Sequence, residues 1–172
     1  MPKQDYVINI RKAVVGTLYG ISYTNSERLS ARANSVIEFG VGIKPVSGKD
    51  RNADVGCAPD SVIATQTYLY GISLRSIGRE MSTYPGDGVV KYKVNDEIAF
   101  VREGTIHVTN MGATAATEQG NVFCHPTTGL FSADATGGYL LVQNAKWTSN
   151  TAAGAIGRVT ITIARQLDNP IT

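Results

Sequence analysis

The stretch 92–109 constrains the fold most strongly, because it holds two runs of alternating apolar residues separated by Glu103-Gly104. Residues 97–102 read EIAFVR and residues 105–109 read TIHVT. Apolar side chains at every second position are typical of a half-buried strand. The pattern therefore predicts a β-hairpin that turns at 103–104 and presents on one face Ile98, Phe100, Ile106 and Val108.

The remaining chain repeats short β-forming runs between turn residues. Residues 35–46 predict a strand with a bulge, 47–60 a mobile surface loop, and 61–75 a long strand that bends at Gly71. The final predicted strand, 157–165, alternates most regularly. Many short strands with frequent turn signals indicate an all-β fold, either an antiparallel β-sandwich or a small β-barrel.

The length of 172 residues, with 42% apolar content, suits one globular domain. The polar segment 24–34 fits an extended arm better than a core. We therefore expect an N-terminal arm over residues 1–35 and a single β domain over residues 36–172.

Charge and hydropathy argue against nucleic acid and membrane as partners. The 16 Lys and Arg nearly balance the 14 Asp and Glu, and no basic cluster exceeds the pair Arg11-Lys12. No apolar run is long enough for a signal peptide or a spanning helix, so we expect assembly in a cytoplasm-like compartment. Cys57 and Cys124 lack framework spacing and are expected to be free thiols.

The residues that could support catalysis each have a simpler structural explanation. His107 lies in an alternating strand with no nucleophile motif beside it. Cys124 and His125 are adjacent, so in a strand they point to opposite faces and cannot easily share a metal. Asp96 precedes a strand, where a short carboxylate usually closes a turn. We expect no enzyme activity, no metal and no cofactor.

The order of several short motifs resembles the structural cement proteins of tailed-phage capsids. In that family a Gly-rich entry and an Asn-containing stretch lead to an Ile-x-Phe-Gly strand, then a Gly-Ile/Val-aliphatic-Arg segment, then two strands joined through Arg-x-Gly. The resemblance covers about residues 16–165, and Asn95 and His107 depart from the family's usual glycine and aromatic. The matching pieces are Gly20-Ile21, Asn34, residues 37–43, 71–75, Tyr92, 95–96, 97–108, 118–124, 128–131, 144–147 and 153–163.

The resemblance implies a decoration protein that binds the major capsid protein on the outer surface of the phage head and stabilises the shell. Copies of the protein, as dimers or trimers, are further expected partners. A tail or receptor-binding β-module remains an alternative, as does a small metal-dependent β-barrel enzyme. Residues expected to contact the capsid or another copy are Tyr6, Ile8, Ile10, Arg11, Lys49 and Arg51.

Overall fold

The computed structural model describes residues 13–19, 27–49, 51–76 and 91–163, and these residues form strands and turns but no helix. No part of the described chain could therefore span a lipid bilayer as a helix. The strands are β1 Glu27–Ala33, β2 Ile37–Glu38, β3 Gly42–Pro45, β4 Asn52–Val55, β5 Gln66–Thr67, β6 Gly71–Ser73, β7 Lys91–Tyr92, β8 Glu97–Thr109, β9 Asn121–Cys124, β10 Phe131–Ser132, β11 Leu140–Trp147 and β12 Ile156–Ile161. The all-β prediction is confirmed.

The predicted hairpin is wrong, because residues 97–109 form the single 13-residue strand β8. Both favoured types of two-residue hairpin turn need positive φ at the first central position, which here is Glu103. Gly104 has φ 138°, whereas Glu103 is not among the described non-glycine residues with positive φ. The chain therefore continues as one strand through the Arg-Glu-Gly segment, with a shift in the register of its pairing with the strand Glu27–Ala33 at Arg102.

The first half of β8 closes a small barrel. β1 pairs antiparallel with β8 and parallel with β4, and the order continues through β3 and β6 back to β8. We call this ring of five strands the first barrel. Its closure confirms the barrel alternative and leaves none of its five strands as a free edge within the described residues.

The second half of β8 begins a different sheet. Residues 104–109 pair with β12, which continues through β11 and β9 to β10, while β5 adds to β11 in parallel. A parallel bridge between Asn110 and Phe131 brings β10 back to the end of β8. We call this curled unit the second sheet. The long strand is thus the element that both units share.

Each unit has its own buried core. Phe100 belongs to the core of the first barrel, whereas its neighbour Val101 belongs to the core of the second sheet. Consecutive strand residues point to opposite faces, so β8 passes between the two cores. The last strand, β12, buries Val159 and Ile161 in the second core.

Three further sequence expectations differ from the structure. Residues 27–33 were expected in the arm but form β1, and residues 52–55 were expected in a mobile loop but form β4. β1 pairs with the distant β8, which local patterns do not reveal, whereas β4 pairs with its neighbour β3 and also with β1. In place of the expected long strand 61–75, residues 61–65 form bends and turns, β5 pairs with β11, and β6 pairs with β3 and β8.

Candidate interaction surface

Of the residues expected to make contacts, Tyr6, Ile8, Ile10 and Arg11 lie outside the described residues. Lys49 and Arg51 both lie in the turn between β3 and β4 and are exposed. Arg51 adopts φ 61°, and its carbonyl accepts a hydrogen bond from the Arg32 backbone N–H at 2.7 Å. The turn is therefore held against β1.

This turn and β1 together form a basic rim, which we define as Arg32, Lys49 and Arg51. The Arg32 side chain is exposed on β1, and Arg32 pairs in register with Asn52. The Lys49 ammonium donates a hydrogen bond to Asn34 Oδ1 at 3.3 Å. The exposed Glu97 pairs in register with Arg32, so the surface holds three cations beside one carboxylate, and its net positive charge suits a partner surface that carries carboxylates.

A second exposed feature, which the sequence analysis did not single out, is the apolar tip formed by Val62 and Ile63. Val62 is 87% exposed, the highest value for a large apolar side chain among the described residues, and Ile63 is 47% exposed. Single exposed apolar residues are common on protein surfaces, but two in succession on a fixed turn suit a protein contact.

The Asp60 carboxylate fixes the apolar tip. Its Oδ1 accepts hydrogen bonds from the backbone N–H groups of Val62 at 2.7 Å and of Ile63 at 3.0 Å. Both bonds lower the pKa of Asp60 below its ordinary value of 3.8, and the bond from Ile63 has the larger effect. The bonds therefore stabilise the folded protein above pH 3.8, and this stabilisation is lost as the pH falls through the lowered pKa of Asp60 in the folded state.

The far side of the turn is also held, because the Thr65 carbonyl accepts a hydrogen bond from the Leu141 N–H at 3.0 Å. The tip is thus a pre-organised feature whose side chains point outward. The sequence signal that could have predicted this turn is an Asp followed two residues later by apolar residues. It was overlooked because Val62 and Ile63 also suit a strand.

The segment 13–19 pairs with the second half of β8, on the side opposite β12, through an antiparallel bridge between Leu18 and Ile106. The N–H of Gly16 donates to the His107 carbonyl at 2.8 Å, and the N–H of Tyr19 donates to the Thr105 carbonyl at 2.9 Å. The Arg158 guanidinium lies 4.3 Å from the centroid of the Tyr19 ring. These contacts anchor the chain immediately after residues 1–12.

His107, the first residue considered for catalysis, is half-buried beneath this segment. Its Nδ1 lies 3.1 Å from both the carbonyl oxygen and the Oγ1 of Thr17, and its ring meets the Tyr19 ring edge-on. The geometry gives His107 a structural role in holding Thr17 and Tyr19.

The other candidate groups also have local partners. The Asp96 carboxylate accepts a hydrogen bond from the Lys93 N–H at 2.7 Å and so closes the turn before β8. Cys124 is buried, while His125 packs against the Tyr139 ring at 5.3 Å, so the two point in different directions. Among the residues described, no three His, Cys, Asp or Glu side chains are grouped so that they could hold a metal ion.

Comparison with known proteins identifies relatives over most of the chain. A family model described as "Structural cement protein (E217 gp24/Pam3 gp6)" matches residues 1–162. No curated protein matches. A chain in the solved capsid of Myoviridae phage XM1 has a similar fold, with a TM-score of 0.64, 16% identity, and coverage of 94% of this chain and 98% of that one.

A second solved structure, the head fibre gp8.5 N base of bacteriophage phi29, gives a TM-score of 0.47 at 9% identity, covering 80% of this chain and 94% of that one.

Proposed function

Because the chain belongs to the structural cement protein family, we propose that it binds the outer surface of a phage head and bridges neighbouring major capsid subunits. The single observation that carries the proposal is the family match over residues 1–162. The similar fold of a chain from a phage capsid is consistent with it. In this proposal the protein acts by binding alone and performs no catalysis.

The architecture suits a rigid protein that links neighbouring capsid subunits. Since the strands of the first barrel are all paired, contacts with the shell are made by side chains and turns and by the N-terminal residues. Each contact can be of ordinary size, about 800 Å² per partner, because an icosahedral shell repeats it many times. Copies of the protein meeting as dimers or trimers would extend the same network.

Within the described residues, we propose two contact regions, the apolar tip and the basic rim. The tip buries apolar surface without ordering a loop first, because Asp60 already fixes it. The basic rim orients the protein on its partner through charge, because charges at the edge of an interface affect specificity and association rate more than affinity. Lys49 and Arg51, expected as contacts from the sequence, belong to this rim.

Replacing Val62 by aspartate is expected to weaken binding to capsids by about tenfold or more, because an apolar contact is lost and a charge is desolvated. Co-sedimentation with capsids assembled without this protein measures the affinity. Met111→Asp is the matched control, because Met111 is also 50% exposed but follows β8 at the end opposite the basic rim. Asp60→Ala should also weaken binding by releasing the tip, while leaving the melting temperature nearly unchanged. Equal affinities for Val62→Asp and the unmodified protein would exclude the tip as a contact.

The N-terminal arm is proposed as a third contact, through Tyr6, Ile8, Ile10 and Arg11. Deletion of residues 1–12 retains the anchored segment 13–19, so the fold should persist with an unchanged circular dichroism spectrum. Capsid occupancy is expected to fall by about tenfold or more, because the apolar side chains of these residues would no longer be buried against a neighbour. Full occupancy by the truncated protein would remove the arm from the proposal.

A further inference from the structure

Two buried cysteines meet where the first barrel joins the second sheet. Cys57 lies two residues after β4, and Cys124 is the last residue of β9. The Cys57 thiol donates a hydrogen bond to the carbonyl oxygen of Cys124 at 3.3 Å, although the two residues are 67 positions apart in sequence. Both side chains are almost fully buried, at 1% and 0% exposure respectively.

Backbone contacts hold this junction together. The N–H of Gly56 donates to the Gly42 carbonyl at 2.8 Å, and the N–H of Cys57 donates to the Pro126 carbonyl at 3.3 Å. A Cβ atom on Gly42 would approach the Cys124 sulfur to 2.9 Å, so the glycine provides the space that the sulfur occupies. The two cysteines are thus brought together by the fold of both units.

The chemistry of the two thiols differs in a way that suits their reaction with each other. When Cys57 ionises, the Cys124 thiol can donate a hydrogen bond to its sulfur, and this bond is the largest cause that lowers the pKa of Cys57, followed by the Thr67 hydroxyl and the Lys44 ammonium. Burial raises the pKa of Cys124. Cys57 is therefore the better nucleophile of the pair, and Cys124 is the partner held beside it.

We propose that Cys57 and Cys124 are a disulfide-forming pair that closes when the protein meets a two-electron oxidant. With a diazene oxidant such as diamide, the Cys57 thiolate adds to the N=N bond and forms an S–N bond. The Cys124 sulfur then attacks the Cys57 sulfur, the S–S bond forms and the S–N bond breaks. The two thiols lose two protons and two electrons, and the diazene leaves as the hydrazine.

The bond would cross-link the first barrel to the second sheet. A loop of 67 residues is long, and closing a long loop removes much of the entropy of the unfolded chain. The oxidised protein is expected to melt about 10 °C higher than the reduced protein. The bond is expected to form in the isolated chain, whether or not the protein binds a capsid.

The test uses the purified full-length protein, incubated with diamide a few degrees below its melting temperature so that the reagent reaches both thiols. The protein is then unfolded in guanidinium with N-ethylmaleimide, and its intact mass is measured. The expected product is a monomer lighter by two hydrogens that carries no maleimide, whereas untreated protein carries two. Dithiothreitol should reverse both the mass change and the rise in melting temperature.

Cys57→Ala and Cys124→Ala are the matched variants, because each retains one thiol and should show neither change. If diamide-treated wild-type protein still carries two maleimides, or if it forms only intermolecular dimers, the proposal is wrong. Because the wild-type measurement alone decides between these outcomes, the test stands even if a variant folds poorly.

Discussion

Replacing Ile106 by aspartate is expected to unfold the protein at 25 °C. Ile106 is fully buried in the second core, where it pairs in register with the equally buried Val159 of β12. An unpaired buried carboxylate costs several kcal/mol, and losing the apolar side chain adds about 2–5 kcal/mol. Because domains are typically stable by only about 5–15 kcal/mol, the sum removes most or all of the stability. Circular dichroism and thermal unfolding measure the effect.

Two variants make this result specific to the buried face of β8. Ala99→Asp introduces the same charge on the same strand at an exposed position and should change stability by less than about 0.5 kcal/mol. Ile106→Val should remain folded and lose about 0.5–1.5 kcal/mol. If Ile106→Asp melted close to the unmodified protein, the assignment of Ile106 to the second core would be wrong.

The second large effect is expected for Trp147→Ala, which should lower the free energy of unfolding by about 3–5 kcal/mol. Trp147 is fully buried at the end of β11 and contributes the largest fully buried side chain among the described residues. Its removal leaves a cavity in the second core, which close-packed neighbours fill only in part. Urea denaturation, followed by circular dichroism because the only Trp is removed, measures the loss.

Trp147→Phe is the informative control. The indole Nε1–H has no hydrogen-bond partner within the described part of the chain, so phenylalanine removes an unsatisfied donor along with some volume. This variant should therefore lose less than about 1.5 kcal/mol. A loss as large as that of Trp147→Ala would mean that the indole N–H contributes substantially to stability.

Local patterns in the sequence predicted many of the strands, but not β1 or β4, and not always how the strands connect. The alternation in 97–109 correctly indicated β structure, and the buried residues of β12 were also expected. The hairpin was wrong because Gly104 is compatible with either a turn or a continuous strand, and only the distant partners of β8 decide between them. The same limit explains β1, whose polar sequence conceals pairing with both β4 and β8.

The candidate surface could be predicted only in part. Exposed cations at Lys49 and Arg51 are readable from a polar, Gly-containing loop, but their position beside Arg32 depends on the parallel pairing of β1 with β4. The apolar tip was missed for a different reason. Val62 and Ile63 are strong β-formers, and only the hydrogen bonds of Asp60 show that they lie outside a strand.

The shared strand gives a physical reason for a rigid cement protein. β8 contributes Phe100 to one core and Ile106 to the other, so the two units cannot separate without breaking its pairings. Force applied at one unit is therefore carried to the other through a continuous hydrogen-bonded strand. The proposed Cys57–Cys124 bond would reinforce the same junction from a different side.

The most direct test of the proposed function is an electron cryomicroscopy reconstruction of the intact phage particle. We predict that the first barrel and second sheet fit density on the exterior of the capsid, with each copy touching at least two major capsid subunits and with the Val62–Ile63 tip or the basic rim at a contact. Density for this chain at the tail alone, or its absence from the capsid exterior, would contradict the proposal.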